Sequence, residues 1–400
     1  MEIVIIGAGA SGLVAGYFAK NGSNNVTILE RFNKSAKKIL VTGNGRCNYW
    51  NEDFNNNHFH STNQNFIKEV NTLKNRNEVL DFFNTIGIVP TIKNGYYYPM
   101  SKEASSVRDA LLYNTLFNNV NIIANSNVKD IKKDNNRFII KYNDNESIVA
   151  DKVIIATGSN SYYKDENLGY KFCKKLGHNI IKVMPSLVQL TGVGNYFKQW
   201  AGVRNSAKVE IYVDNNLEKT EEGEIMLTDF GVSGICIFNL SGIANRALDE
   251  DKEVYLRINF LPEINNLRDF LDERSKHVID NLEGFLESLL NHKLIATILN
   301  KNQLTGKKWN DLSEYEKIIL VNELSNFKLE ISGSKSFIDS QVCTGGVDTS
   351  EINPKTFESK ICKGLYIVGE VLDVDGDCGG YNLGFAWLSG MIAGKSVSDD

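Results

Sequence analysis

The first thirty residues combine glycines, a helix start and an acid at a spacing that suits phosphate binding. A strand-like apolar run enters Gly7-Ala-Gly9-Ala-Ser-Gly12, and Glu30 ends the next apolar run. In a G-x-G-x-x-G turn, Gly7 permits the tight bend, Gly9 admits a pyrophosphate and Gly12 lets the helix pack closely on the strand. The N–H groups and the positive dipole end of that helix then face the phosphates. We therefore predict a Rossmann unit that binds a dinucleotide, with Glu30 on the adenosine ribose.

A second strand-to-helix junction lies near the carboxyl terminus. A buried strand ends at Gly369-Glu370, three aspartates follow, and Cys378-Gly-Gly-Tyr381-Asn-Leu383 opens a helix. The N-terminus of this helix can face the pyrimidine end of an isoalloxazine, where its dipole would stabilise negative charge on reduced flavin. An ordinary βα turn with solvated aspartates is the alternative. Beside the opening glycines, this junction favours flavin.

The elements between the two junctions indicate an α/β fold with an insert. A helical stretch is expected near 64–86 and a meander of short strands over residues 120–150, and a buried strand then ends in Ala156-Thr157-Gly158. Strand-like segments dominate from about residue 191, helical periodicity dominates from 263, and α/β character returns near 337. We expect a discontinuous Rossmann-type FAD-binding domain with an inserted substrate domain. Its expected parts are residues 1–190 and 337–400 for the FAD-binding domain, 191–262 for a β-rich insert and 263–336 for a helical insert.

Composition limits the location and the partners of the chain. The 400 residues are 42% hydrophobic and 23% charged, which is typical of a globular protein with more than one domain. No apolar run approaches the roughly 18 residues that span a bilayer, and the first strand begins at Glu2. We therefore expect a cytoplasmic protein without a signal peptide or membrane association. The net charge of −5 and the acidic excess in 191–336 argue against nucleic-acid binding outside a local basic patch.

Cysteines and histidines show no spacing that is typical of a metal site. The six cysteines are scattered without a C-x-x-C pair, and the five histidines are scattered as well. His58 and His60 could share one face of a strand, but we expect two surface histidines. The sequence predicts no metal and no disulfide framework.

Five segments in order along the whole chain carry a family resemblance. Besides the opening glycines they are Thr42-Gly-Asn-Gly-Arg-Cys-Asn48, Tyr98-Pro-Met-Ser101, Thr344-Gly-Gly-Val347 and Gly364–Gly394. With them the chain resembles the HI0933-like flavoproteins, also called the BaiN/RdsA family of NAD(P)/FAD-dependent oxidoreductases. The resemblance implies a two-dinucleotide-binding-fold flavoprotein, with FAD extended between the first helix and the last.

The chain departs from this family pattern at two positions. Tyr96 stands where an arginine is expected, and Gly384 stands where glutamine is common. If either position touches the substrate, the substrate class is less transferable.

The resemblance also implies contacts for particular residues. Those implied to contact FAD are Gly7, Gly9, Ala10, Ser11 and Gly12 at the diphosphate, Glu30, Arg31 and Lys38 near the adenosine and phosphate end, Val128 at adenine, Thr42, Gly43, Asn44, Gly45, Arg46, Cys47 and Asn48 beside the flavin, Ala156, Thr157 and Gly158 over the diphosphate, Gly369 and Glu370 along the ribityl stretch, and Gly380, Tyr381, Asn382 and Leu383 at the pyrimidine edge. For Arg31 and Lys38, simple surface solvation is the alternative. Cys47, Cys378 and Tyr381 are the candidate general acids, because they bear protons beside the expected ring.

The expected chemistry is two-electron flavin chemistry. NAD(P)H would reduce FAD while bound transiently, because no second G-x-G-x-x-G follows a strand. Three functions stay open: reduction of an activated C=C bond, with uracil in ribosomal RNA becoming dihydrouridine; oxidation or reduction of a small metabolite; and a flavin-binding regulatory or scaffold role. A basic groove would favour RNA, and its expected members are Lys34, Lys37, Lys38, Arg46, Lys93 and Lys102. The sequence does not predict an oligomeric state.

Overall fold

A computed structural model describes residues 1–162, 167–278 and 280–399. The chain forms two compact units. The first unit consists of Met1–Val183 and Val342–Asp400, and the second unit is Met184–Gln341. The boundaries expected from the sequence, 190/191 and 336/337, differ from these by a few residues.

The strands and helices are numbered in chain order. The strands are β1 (Glu2–Ile6), β2 (Asn25–Leu29), β3 (Trp50–Asn51), β4 (Phe59–His60), β5 (Pro90–Lys93), β6 (Tyr96–Pro99), β7 (Asn121–Ile123), β8 (Val128–Asp134), β9 (Arg137–Tyr142), β10 (Glu146–Ala150), β11 (Lys152–Ile155), β12 (Ile180–Ser186), β13 (Leu190–Gly192), β14 (Arg204–Val213), β15 (Asn216–Leu227), β16 (Gly231–Ser233), β17 (Val254–Asn259), β18 (Phe327–Ser334), β19 (Val342–Val347), β20 (Leu365–Ile367) and β21 (Asp375–Gly376). The helices are α1 (Ala10–Ala19), α2 (Gln64–Val70), α3 (Leu73–Thr85), α4 (Ala104–Phe117), α5 (Leu168–Lys175), α6 (Phe197–Trp200), α7 (Ile235–Asp249), α8 (Leu267–Arg274), α9 (Leu282–Leu286), α10 (His292–Lys301), α11 (Glu314–Ser325) and α12 (Tyr381–Asp399).

A parallel sheet forms the centre of the first unit. Its strand order is β20-β11-β1-β2-β7, and each neighbouring pair is parallel. The strands read as continuous apolar runs because helices cover both faces of such a sheet. The α/β fold class with a Rossmann-type sheet is therefore confirmed.

Helices α1 and α12 pack along each other in the first unit. Two glycines of α12 permit the close approach. A Cβ at Gly390 would lie 2.4 Å from the carbonyl oxygen of Ser11, and one at Gly394 would lie 2.6 Å from that of Ala15. The packing of α12 on α1 brings the carboxyl-terminal junction to the opening glycine turn, although the two are far apart in sequence.

Two local expectations are wrong in detail. Strand β7 adds to the parallel sheet beside β2, whereas the antiparallel meander consists of β8, β9 and β10 alone. Residues 64–86, which the periodicity suggests as one helical stretch, form α2 and α3. The break occurs because α2 ends at Val70 and the Thr72 hydroxyl accepts a hydrogen bond from the Asn75 N–H, which caps a new helix.

The second unit is built on a closed barrel with strand order β13-β16-β15-β14-β17-β18. Helix α7 packs on β14, β15 and β18. Helices α8 to α11 lie between β17 and β18 in the chain, and β18 returns to complete the barrel. The compact unit thus combines the parts that the sequence suggests as a β-rich and a helical insert.

Candidate functional site

The opening glycine turn leaves room for a ligand at one glycine only. A Cβ at Gly7 would lie 2.5 Å from the Ala156 carbonyl oxygen, and one at Gly12 would lie 1.9 Å from that of Gly7. Gly9 differs, because no described atom beyond its own chain neighbourhood lies within 4 Å of the position that its Cβ would take. Its φ of −83° and ψ of −164° are accessible to any residue. Packing therefore requires glycine at Gly7 and Gly12, whereas Gly9 faces open space.

The N-terminus of α1 can accept an anion beside this space. Gly9 is the N-cap residue, and no side chain caps the helix. The first N–H groups of a helix have no intrahelical partner, and the helix dipole favours negative charge there. Gly369 lies against this turn, since a Cβ on it would lie 2.5 Å from Ser11 Oγ. The structure thus brings Gly9, Ser11 and Gly369 together around an uncapped helix end.

Glu30 links the glycine turn to the end of β2. Its carboxylate accepts hydrogen bonds from the N–H groups of Ala8 and Phe32, both at 2.8 Å. Burial raises the pKa of Glu30, and the two backbone hydrogen bonds oppose that rise. Each carboxylate oxygen can accept more than one hydrogen bond, so ribose hydroxyls can add to these donors.

Replacement of Glu30 by glutamine is expected to weaken FAD binding about tenfold to a hundredfold. The amide has one acceptor oxygen, so it cannot accept from both backbone N–H groups and the ribose as the carboxylate can. Quenching of FAD fluorescence during titration of the apoprotein measures the Kd. The matched control is Glu146→Gln, at an exposed position of β10. An unchanged Kd in Glu30→Gln would place the ribose elsewhere.

The backbone beside Glu30 adds a residue that sequence reasoning missed. The Ser126 N–H donates to the Glu30 carbonyl oxygen at 2.8 Å, two residues before Val128 at the start of β8. The Ser126 hydroxyl is buried without a hydrogen-bond partner in the structure. A buried unpaired hydroxyl is costly, and a bound polar group would satisfy it. Ser126 is identified as a site residue by the hydrogen bond between the loop before β8 and the residue that follows β2, which no local sequence pattern predicts.

Lys38 and Glu370 form an ion pair that joins four segments. Lys38 Nζ lies 2.7 Å from Glu370 Oε2 and 2.5 Å from Ser161 Oγ. The other Glu370 oxygen accepts from Ser159 Oγ at 2.7 Å and from the Cys343 N–H at 3.2 Å. Lys38 is therefore neither simply solvated nor isolated. Ser159, Ser161 and Cys343 were not among the expected site residues.

The turn after β11 contributes a further buried hydroxyl. Thr157 Oγ1 is buried and has no hydrogen-bond partner, and Asn167 Nδ2 donates to the Thr157 and Gly158 carbonyl oxygens. Gly158 has a φ of +72°, and no atom lies within 4 Å of its Cβ position. Ala156 contacts Gly7, as described above. The Ala156-Thr157-Gly158 segment thus adjoins the opening turn and presents unused polar capacity.

The Thr42–Asn48 loop folds into tight turns rather than a regular helix. Gly43, Asn44 and Cys47 have φ values of +56°, +54° and +56°. The Cys47 N–H donates to the Thr42 carbonyl oxygen at 3.0 Å. Gly43 to Arg46 are exposed and Cys47 is fully buried. Asn48 Oδ1 is buried without a hydrogen-bond partner.

This loop meets the start of α12. A Cβ at Gly380 would lie 2.8 Å from the Trp50 carbonyl oxygen and 3.0 Å from Asn48 Oδ1. Asn51 Nδ2 donates to the Gly379 carbonyl oxygen at 2.9 Å. The contacts bring together the two segments, from opposite ends of the chain, that were expected to flank a flavin.

Asn382 and Leu383 lie in the first turn of α12, and Asn382 holds the preceding loop in place. Its side chain accepts from the Gly376 N–H at 2.9 Å and donates to the Gly376 carbonyl oxygen at 2.7 Å. This pair of hydrogen bonds fixes the path of the chain into the helix. Asn382 therefore has a structural role besides the expected cofactor contact.

The two departures from the family pattern have local physical settings. Gly384 is required by packing, because a Cβ would lie 2.2 Å from a ring carbon of Phe54. Tyr96 pairs with Asn51 across β6 and β3, and its ring adjoins Gly379. Tyr96 therefore lies beside Gly379, just before the start of α12.

The three candidate acids differ in burial. Burial raises the pKa of the Cys47 thiol to about 12. Burial also raises the pKa of Tyr381, with Asp53, Tyr96 and Asp377 adding to the rise, and Tyr381 is buried as well. Cys378 is partly exposed and precedes α12 by three residues, so it lies outside the first helical turn. Tyr381 is therefore the candidate that combines a retained proton with a position on α12.

Together these features fit an extended dinucleotide such as FAD. The open space at Gly9 and the uncapped end of α1 suit the diphosphate. The buried hydroxyls of Ser126 and Thr157 have no hydrogen-bond partner and can bond to a ligand. The N-terminus of α12 meets the Thr42–Asn48 loop, where a flavin is expected. The Arg31 guanidinium lies 4.5 Å from the centre of the Phe32 ring.

The described residues contain neither a candidate metal site nor a helix that could span a membrane. Across residues 1–162, 167–278 and 280–399, no group of three or more His, Cys, Asp or Glu side chains could hold a metal ion. Within the same ranges, no helix is long and apolar enough to cross a bilayer.

Comparison with known proteins places the chain among flavoprotein relatives. Residues 1–396 match the family model described as HI0933-like protein Rossmann domain. The chain is 35% identical to a 3-dehydro-bile acid delta(4,6)-reductase of Clostridium scindens, covering 100% of this chain and 99% of that protein. It is 27% identical to the ribosomal RNA dihydrouridine synthase of Escherichia coli, covering 99% of each.

A solved structure shares the fold. The 3-ketosteroid delta1-dehydrogenase of Sterolibacterium denitrificans superposes with a TM-score of 0.52 at 10% identity, covering 99% of both chains. At that identity the likeness concerns the fold alone.

Proposed function

This chain belongs to the HI0933-like family and is an FAD-dependent oxidoreductase, and from this premise we propose that it uses NAD(P)H to reduce a C=C bond conjugated to a carbonyl group. The observation that carries the proposal is common to two relatives. The bile acid relative is named for reducing double bonds of a 3-oxo steroid, and dihydrouridine is uridine with its conjugated C5=C6 bond reduced. The shared chemistry is addition of a hydride and a proton to an electron-poor alkene.

The residues that would hold FAD follow from the geometry of the site. The α1 N-terminus at Gly9 would bind the diphosphate, Glu30 and Ser126 the adenosine, and the start of α12 with the Thr42–Asn48 loop the flavin. FAD, when bound, supplies two-electron hydride chemistry that no side chain can perform. The α12 N-terminus would stabilise negative charge at the pyrimidine edge.

The proton in this reaction would come from Tyr381. Hydride adds to the alkene carbon β to the carbonyl group and leaves negative charge on the resulting enolate. A neutral acid must then protonate the carbon α to the carbonyl group. The raised pKa of Tyr381 keeps its phenol protonated at neutral pH. Its position as the first residue of α12 would place this donor beside the pyrimidine edge.

A small-molecule enone is the favoured substrate class. The bile acid reductase is more similar in sequence to this chain than the ribosomal RNA dihydrouridine synthase is, and each alignment covers almost the whole chain. The net charge of −5 does not favour a polyanion. Of the six basic residues considered for an RNA groove, Lys38 is paired with Glu370 and Lys37 lies over the Phe32 ring at 4.7 Å. Uracil in ribosomal RNA is the second candidate, supported by the 27% match over the whole chain.

The test separates the two half-reactions under anaerobic conditions. NADH or NADPH is expected to bleach the flavin absorbance at about 450 nm, as expected for two-electron reduction of the flavin. A 3-oxo-Δ4,6 bile acid is then expected to restore it, whereas unmodified ribosomal RNA transcribed in vitro serves as the alternative acceptor. Reoxidation by RNA alone would favour the second candidate. Reduction followed by no reoxidation with either acceptor would contradict the proposal and favour a flavin-binding protein with little turnover.

A further inference from the structure

Asp377 joins two histidines that the sequence suggests as independent surface residues. His58 Nδ1 lies 3.1 Å from Asp377 Oδ2, and His60 Nε2 lies 3.0 Å from Asp377 Oδ1. The Asp377 side chain is only 7% exposed, and those of His58 and His60 are 28% and 25% exposed. A nearly buried carboxylate is therefore bound by two partly buried imidazoles.

His58 is held between two carboxylates. Its second nitrogen, Nε2, lies 3.2 Å from Oδ2 of Asp53, whose side chain is 69% exposed. A neutral imidazole can donate from one nitrogen only, whereas an imidazolium donates from both. The hydrogen bond from His58 lowers the pKa of Asp53, which keeps that carboxyl ionised. The geometry therefore places a carboxylate oxygen within hydrogen-bond distance of each imidazole nitrogen of His58.

The cluster is fixed to the start of α12. The His58 ring stacks on the Tyr381 ring, with centroids 4.4 Å apart and planes 18° apart. The Asp377 N–H donates to the His58 carbonyl oxygen at 2.9 Å, and β21 pairs with β4 through Gly376 and Phe59. Charge that develops at the first turn of α12 therefore acts at short range on His58.

We propose that His58, braced by Asp53 and Asp377, is a proton store whose occupancy is coupled to reduction of the cofactor bound at the start of α12. The inference rests on the proposed function, because reduction of a C=C bond consumes one proton per turnover. The reductant supplies the hydride with its electron pair. The donor at α12 loses an O–H proton as a C–H bond forms on the substrate, and it regains a proton from the His58 imidazolium.

The store refills from water. His58 is left neutral after this transfer, and the exposed Asp53 carboxylate connects its Nε2 to solvent. Asp53 and Asp377 act as positioning residues. The titratable groups that face His58 are these two carboxylates, the Tyr381 ring on α12 and, through Asp377, His60.

The decisive measurement is the midpoint potential of the bound flavin as a function of pH, obtained by equilibration with redox dyes. When one proton is taken up with two electrons, the plot of midpoint potential against pH becomes steeper by about 30 mV per pH unit. We expect such a steeper section in the wild-type protein when the potential is measured from about pH 5 to 8. It should be absent in His58→Gln. In Asp53→Asn it should shift to lower pH, because the imidazolium loses one carboxylate.

Each outcome decides the proposal. Asp53 is exposed, so Asp53→Asn keeps the fold even if His58→Gln disturbs it. His277→Gln, at a histidine whose side chain is 75% exposed in the second unit, is the matched control and should keep the wild-type line. Identical plots of midpoint potential against pH for the wild type, His58→Gln and Asp53→Asn would overturn the proposal. Failure of the wild type to reduce any C=C probe would contradict the proposed function, while the potentials would still decide the coupling.

Discussion

Replacement of Gly9 by valine is expected to give a folded protein that contains no FAD. No described atom beyond the chain neighbourhood of Gly9 lies within 4 Å of the position that its Cβ would take, so the isopropyl group enters open space. The backbone angles there, −83° and −164°, suit valine. That open space adjoins the uncapped end of α1, where the diphosphate is expected. A side chain there would exclude the phosphates without disturbing the packing.

The measurement is the flavin content after purification. It is given by the ratio of the flavin absorbance at about 450 nm to the protein concentration. The control is wild-type protein stripped of flavin, and the thermal unfolding midpoint of Gly9→Val should match that of the stripped protein. Retention of wild-type flavin content in the variant would show that the diphosphate lies elsewhere. Gly12 is unsuitable for this test, because a Cβ there would lie 1.9 Å from the Gly7 carbonyl oxygen and would disrupt the fold itself.

The contrast between Gly9 and Gly12 also shows what the sequence can predict. Both glycines are visible in the G-x-G-x-x-G spacing, and their separate roles follow from general knowledge of the turn. The sheet is predictable for a similar reason, because strands buried on both faces read as continuous apolar runs. These features depend on short stretches of chain.

The polar networks could not be predicted, because their members are remote in sequence. His58 and Asp377 are 319 residues apart, and Lys38 and Glu370 are 332 residues apart. No local periodicity relates such pairs. They meet only because α12 packs on α1 and β21 pairs with β4. Ser126 and Ser159 were missed for the same reason, since each depends on a neighbour from another segment.

The inserted unit illustrates another limit. The strand pattern of residues 191–260 and the helical pattern after 263 are visible, but the pairing of β18 with β13 and β17 is not. Closure of a barrel depends on strand partners at long range, which hydrophobic alternation does not encode. The fold of the inserted unit is therefore less accessible to sequence reasoning than the glycine turn.

Loss of one hydroxyl, in Tyr381→Phe, is expected to reduce turnover of an enone substrate by roughly 10²–10⁴-fold, the contribution of a general acid. FAD content and the rate of flavin reduction by NAD(P)H should stay at wild-type values. The ring of Tyr381 packs against His58 and Phe54, and phenylalanine preserves that packing. The change therefore removes the proton donor and little else.

The pH dependence adds a signature that a packing role would not give. Burial, with the nearby carboxylates of Asp53 and Asp377, raises the pKa of Tyr381 above its ordinary value of 10.0. The proton-bearing form therefore persists to higher pH than in a free tyrosine, and enone reduction should show no alkaline decline below about pH 10 from this group. Single-turnover reoxidation of reduced enzyme by the enone measures the step directly. Tyr113→Phe, which removes the same hydroxyl at a residue that is 66% exposed, is the control. Wild-type reoxidation rates in Tyr381→Phe would assign the proton to another group, whereas a selective loss in this half-reaction would place the donor at the first residue of α12.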